Sequence, residues 1–146
     1  MVTRQERLVD YQIPEEVIGA VRNLLEREDY RHVVQATSQL IPRYPGEVRL
    51  RRLQACGFGG LNQHDEAAKN FLNAFMMGEN DLDLANFIGA ELAAGQLDLG
   101  VSFIKQFYNR LSDEAKESVA ANALTATQRR GLSPQRLPSA LKELWE

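Results

Sequence analysis

The sequence predicts an all-α protein, a stack of antiparallel helix pairs. Three observations carry that prediction. Strand signals are scarce: no stretch alternates apolar and polar residues with β-branched enrichment for more than about four residues. Apolar residues recur at helical spacing. Val17, Ala20, Val21 and Leu24 fall at i, i+3, i+4 and i+7, and Leu84, Phe87, Ile88 and, across a polar Glu91, Leu92 share a second helical face. The connections between such segments are short, often two to four residues, which forces consecutive helices to be antiparallel neighbours.

The elements follow in order. Residues 1–12 are polar with a few apolar positions (Val2, Leu8, Val9, Tyr11), a lead-in or a short extra helix. A helix over 14–27 opens at Pro14, with Glu15 and Glu16 at the positive end of its dipole. A second over 30–43 is ended by Pro42 and Pro45-Gly46. Helices over 47–60 and 64–77 follow, then one over 81–94 capped by Asn80 or Asp81. Next come 97–110 and 113–129, the latter opened by Ser112-Asp113-Glu114 and closed by Gly131. Beyond Ser133-Pro134, Leu137, Leu141, Leu144 and Trp145 line one face of an amphipathic helix over 137–145. That helix is expected to cap the stack on the helix containing Ala115, Val119 and Ala123, or else to dock on a partner or a second copy of the chain.

Self-comparison reveals a repeat. Val17, Arg51 and Leu84 align at intervals of 34 and 33 residues. In that frame Glu28-Asp29-Tyr30, Asn62-Gln63-His64 and Gly95-Gln96-Leu97 are equivalent turns between two helices. The second helices align as Val33, Ala67 and Gly100, then Thr37, Phe71 and Ile104, then Leu40, Ala74 and Phe107. Small residues such as Ala67 and Gly100 suit positions where two backbones cross closely. Phe71 and Ile104, four residues on, are expected to be buried between pairs. Repeat two places Arg51 and Gln54 at nominal core positions; a shift by one residue turns Leu50 and Leu53 inward instead. Its Gly57, Gly59 and Gly60 lower helix propensity by roughly 1 kcal/mol each.

On Ala67-x-x-x-Phe71-x-x-Ala74, the turn before it, and Tyr30 with Pro45 fifteen residues on, the chain resembles the tetratricopeptide repeat (TPR) family of 34-residue helix–turn–helix units. It departs from the family pattern where Val17, Arg51 and Leu84 replace the signature tryptophan. The resemblance implies a right-handed superhelical α-solenoid. Repeats would cover 14–47, 48–80 and 81–112, within a 14–112 array preceded by the lead-in 1–13 and followed by a degenerate fourth helix and cap over 113–146. It also implies a concave groove lined by the first helix of each pair. The projected positions are Glu15, Ile18, Arg22 and Leu25, then Arg49, Arg52, Cys56 and Gly59, then Leu82, Ala85, Gly89 and Leu92. The family's clamp for C-terminal carboxylates is missing: Ile18, Arg22, Leu53, Leu82 and Asn86 occupy those positions.

Composition narrows the chemistry. The net charge of −3 argues against a general polyanion binder, although 13 of the 17 basic residues are arginine and Arg22, Arg49, Arg51 and Arg52 cluster. A single cysteine, Cys56, forms no intrachain disulfide and fits a reducing compartment. No apolar run of about 18 residues spans a membrane, and the N-terminus has no signal-peptide pattern; a cytoplasmic location is expected. Cys56 and His64 lie on different predicted helices, so a nucleophile–base pair is not expected, and His32, His64 and Cys56 make no metal spacing. Glu79-Asn80-Asp81-Leu82-Asp83 lacks the glycine and glutamate of a calcium loop and reads as a helix start. No phosphate-cradling motif is present. The expectation is a non-enzymatic adaptor or assembly scaffold, without cofactor or metal, that holds a peptide or helical protein in its groove. The alternatives are a bacterial secretion chaperone of the TPR type, an RNA-binding helical repeat using the arginines, and the targeting domain of a longer enzyme.

Overall fold

Seven α-helices and one 3-10 turn make up residues 12–129, the residues described in this computed structural model, and no strand lies among them. The helices are α1 (Glu15–Glu26), α2 (Tyr30–Leu40), α3 (Val48–Gly60), α4 (His64–Gly78), α5 (Asp81–Ala93), α6 (Leu97–Phe107) and α7 (Asp113–Arg129). The 3-10 turn, Tyr108–Arg110, joins α6 to α7. The expected lead-in lies outside the described residues over 1–11, as does the capping helix with Leu137, Leu141, Leu144 and Trp145.

Helix ends follow local chemistry. Pro14 stands at the N-cap of α1 rather than inside it, and its carbonyl accepts from the Val17 amide at 3.0 Å. Helix α2 ends at Leu40 instead of running to 43, because Pro42 has no amide to continue the ladder. Tyr44 N–H closes the end onto the Leu40 carbonyl at 2.9 Å. The Asn80 side chain caps α5 by accepting from the Leu82 amide at 2.9 Å.

The three turns aligned by the repeat have the same geometry. Glu28, Asn62 and Gly95 each adopt a left-handed conformation, with φ of 59°, 61° and 95°. One residue later, the amides of Asp29, Gln63 and Gln96 each donate back to the carbonyl five residues earlier, on Leu24, Phe58 and Glu91, all at 2.9 Å. This is the six-to-one closure that ends a helix on a left-handed residue. Glycine takes that conformation freely, whereas a side chain clashes there at a cost of about 1–2 kcal/mol. Glu28→Gly is therefore expected to raise stability by up to about 1 kcal/mol after the entropy of the unfolded glycine is subtracted. A thermal melt checks this: a lower melting temperature contradicts it. Asn62→Gly gains less, since asparagine tolerates this region.

Each helix from α1 to α5 packs on the next, α1 also touches α3, and α7 packs chiefly against α5. Glycine sets two of these crossings. A Cβ on Gly100 of α6 would stand 2.6 Å from Leu92 Cδ2, so α6 approaches α5 across a bare backbone. A Cβ on Gly57 of α3 would stand 3.0 Å from the methyls of both Val33 and Val34, and one on Gly60 would overlap the Tyr30 ring. The glycines that weaken α3 as a helix thus permit its contact with α2. Ala67 is buried in the core as well.

Two apolar clusters form. One joins Ile13, Ile18, Val21, Val33, Leu50 and Leu53; the other is centred on α5 with Leu84, Phe87, Ile88 and Leu92. Leu50 and Leu53 do point inward, as the shifted register anticipated. Gln54 is buried too, its amide donating to Ser38 Oγ at 3.0 Å. One expectation is corrected here. Phe71 is only half-buried against the second cluster, because it stands at the wall of a cleft rather than between helix pairs. Ala115, Val119 and Ala123 of α7 are buried in the cluster around α5, because α7 lays that apolar face on α5; the cap expected on this helix lies outside the described residues.

Candidate functional site

The first turns of α1, α3, α5 and α7 are tied by polar contacts. Glu47 caps α3 by accepting from the Arg49 amide at 3.3 Å and from Arg49 Nε at 2.8 Å. The remaining Arg49 nitrogens form a fork on Glu15 of α1, Nη1 and Nη2 each 2.9 Å from a carboxylate oxygen. One turn along α3, Arg52 Nε donates to both oxygens of Asp83 on α5 at 2.8 and 2.9 Å. Asp83 is only 1% exposed, so this pair replaces the water a carboxylate requires. Asp81 accepts from the Ser112 amide at 3.0 Å, and Ser112 Oγ caps α7 by accepting from the Ala115 amide at 3.3 Å. The acidic stretch over 79–83 is thus a helix start, as its sequence implied, and it also carries two long-range tethers.

These contacts change the reading of the arginine cluster. Arg49 and Arg52 spend their charge on carboxylates of the same chain, which removes them from a surface that would attract phosphates. Hydrogen bonds from Arg49 hold the Glu47 and Glu15 carboxyls below the usual range. In turn Glu47 and then Glu15 keep the Arg49 guanidinium firmly protonated. A lowered folded-state pKa adds stability that is present above the ordinary value, 4.5, and is lost as pH falls through the lowered one. Glu47→Gln is therefore expected to flatten the dependence of melting temperature on pH below about 4.5. Equal acid sensitivity in the variant and the parent contradicts this. Glu15 is exposed and contributes little in water.

Beyond these tethered ends, α3 and α5 flank a cleft of about 250 Å³. Gly59, in the last turn of α3, forms one edge, and Asn86, Gly89, Ala90 and Ala93 of α5 form another. His64, Ala67 and Phe71 of α4 and Asn122 and Thr125 of α7 complete it. Asn122 lies over Gly89, where a Cβ would collide with it. Thr125 Oγ1 donates to the Ala121 carbonyl at 3.0 Å, which leaves its lone pairs free to accept. The Asn86 and Asn122 side-chain amides have no hydrogen-bond partner among the described residues. Two other hollows lie among the described residues. One of about 530 Å³ borders the Pro42–Glu47 loop at Gln12, where the described residues begin, and one of about 420 Å³ is an open dip between α1 and α2.

The projected groove residues divide. Ile18, Ala85 and Leu92 have no exposed surface, 0% each, because their aliphatic side chains fill the apolar clusters; the projected groove loses them. Leu25, Leu82 and Cys56 are half-buried, Arg22 is exposed, and Glu15, Arg49 and Arg52 sit in the tethers. Gly59 and Gly89 alone of that set line the cleft. Burial, and then the charge of Asp83, push the Cys56 thiol up, which makes it a poor nucleophile at neutral pH. Among the described residues no group of three or more His, Cys, Asp or Glu side chains has the arrangement to hold a metal. No helix among them is long and apolar enough to cross a membrane.

His64, at the start of α4, lines the cleft. Asn122 and Thr125 escaped the sequence reading; their one signal is a polar stripe on an otherwise alanine-rich helix. Comparison with known proteins adds no relative: no protein-family model matches the chain, no curated protein matches it, and no solved structure matches it.

Proposed function

We propose that the chain is a non-enzymatic protein-binding module of TPR-like design, an adaptor or assembly scaffold that holds a peptide or helix of another protein in the cleft between α3, α5 and α7. The observation that carries this reading is the cleft itself: a mixed apolar and polar recess with open amides, built on rigid helices rather than loops. The repeat reading draws support from the three equivalent turns at 34- and 33-residue intervals and from the α1–α3 and α5–α7 contacts that accompany pairwise packing. Neutralisation of Arg49 and Arg52 within the chain favours a protein partner over RNA. The raised thiol of Cys56 favours binding over nucleophilic chemistry.

A peptide-display library selected on the folded protein tests this. Selected peptides are expected to shift the side-chain amide resonances of Asn86 and Asn122 while leaving those of Gln35 and Gln39, on α2, in place. Shifts confined to α2, or selection of no peptide at all, overturn the reading.

A further inference from the structure

We infer that the cleft is a slot for one uncharged aromatic side chain with a polar tip, tryptophan or tyrosine, presented by a partner protein. The inference rests on the protein-binding reading and specifies its anchor. Size comes first. Pockets that enclose cofactors and drug-sized ligands run to roughly 300–1,000 Å³, and about 250 Å³ falls below that range. A recess of this size takes one large side chain, and the anchors that dominate protein interfaces are tryptophan, tyrosine and arginine seated in such pockets.

Charge then separates these three. In a chain with 25% charged residues, no Asp, Glu, Lys or Arg among the described residues lines the cleft. An arginine seated there would lose its water without gaining a carboxylate. Charge complementarity therefore selects a neutral occupant. Polarity separates the remainder. A phenylalanine or leucine would bury the open amides of Asn86 and Asn122 without a partner, which is costly. A phenol hydroxyl or indole N–H matches the apolar walls of Phe71, Ala90 and Ala93 with its body and the amides with its tip. Gly59 keeps the mouth open: a Cβ added there meets nothing within 4 Å.

The test is a titration of the full chain with the N-acetyl amides of tryptophan, tyrosine, phenylalanine, leucine and glutamate, read on the side-chain amide resonances of Asn86 and Asn122. Tryptophan and tyrosine amides are expected to produce saturable shifts with Kd of about 1 mM, and the other three to bind at least about fivefold more weakly. Gly59→Leu fills the mouth without a clash at its Cβ and removes a helical glycine, so it is expected to keep its melting temperature and lose the shifts. Equal shifts from leucine and tryptophan amides, shifts that survive Gly59→Leu, or no shift at about 20 mM ligand overturn the inference. A gain in probe affinity on Trp145→Phe overturns the partner assignment, since the chain's own tryptophan would then be the occupant. Library peptides that bind the cleft without an aromatic residue sink this inference and leave the protein-binding reading standing.

Discussion

Ile88→Ala is expected to cost about 4 kcal/mol. Ile88 has no exposed surface and sits on α5, the helix against which α4, α6 and α7 all pack. Truncation removes three carbons' worth of apolar contact and leaves a void that four helices must close around. Such a loss is a large share of the stability of an ordinary domain. Urea unfolding monitored by circular dichroism measures it. Phe71→Ala supplies the scale: Phe71 is half-buried at the cleft wall, so truncating it strands less surface and should cost distinctly less. A loss below about 1 kcal/mol for Ile88→Ala, or a larger loss for Phe71→Ala, would show that the core is centred elsewhere.

Arg52→Ala is expected to cost about 3 kcal/mol, at the lower end for a broken buried pair because Arg52 keeps a third of its side chain in water. The loss comes mainly from Asp83, whose carboxylate stays buried with nothing to compensate its charge. The double variant Arg52→Met with Asp83→Leu removes both charges and should recover most of the stability, as replacement of buried ion pairs by packed apolar groups commonly does. A double variant as unstable as Arg52→Ala would mean that the pair holds α3 to α5 in a way packing cannot replace.

These two sites differ in how far they were legible. Ile88 belongs to a helical stripe with Leu84 and Leu92, and local periodicity places such residues inward without knowledge of the fold. The same local logic located the helices, since caps such as Asn80 and stops such as Pro42 act within a turn of their own residue. The 34-residue frame located the three left-handed turns before any geometry was known, although Glu28 carries none of the usual glycine signal. The Arg52–Asp83 pair joins residues 31 apart, each of which looks like an ordinary charge on a helix surface. Only the folded chain, in which Asp83 is buried and reached by Arg52, shows that it points inward.

The candidate site was less legible for the same reason. Groove positions were carried over from one idealised helix phase, and α1 and α5 turn Ile18, Ala85 and Leu92 into the core instead. Because α5 is buried on several sides, its stripe of Leu84, Ile88 and Leu92 does not tell which of its other residues stay open. The cleft depends on Gly59, His64, Asn86 and Asn122 meeting from four helices, a juxtaposition that exists only after folding.

The affinity of the tightest library-selected peptide for the parent chain and for Gly59→Leu, measured by calorimetry alongside both melting temperatures, tests the central claim most directly. The expected result is at least a tenfold loss of affinity with the melting temperature unchanged or raised, since leucine there obstructs the cleft and favours the helix. Unchanged affinity in a folded Gly59→Leu protein would contradict the claim that the cleft between α3, α5 and α7 is where a partner binds.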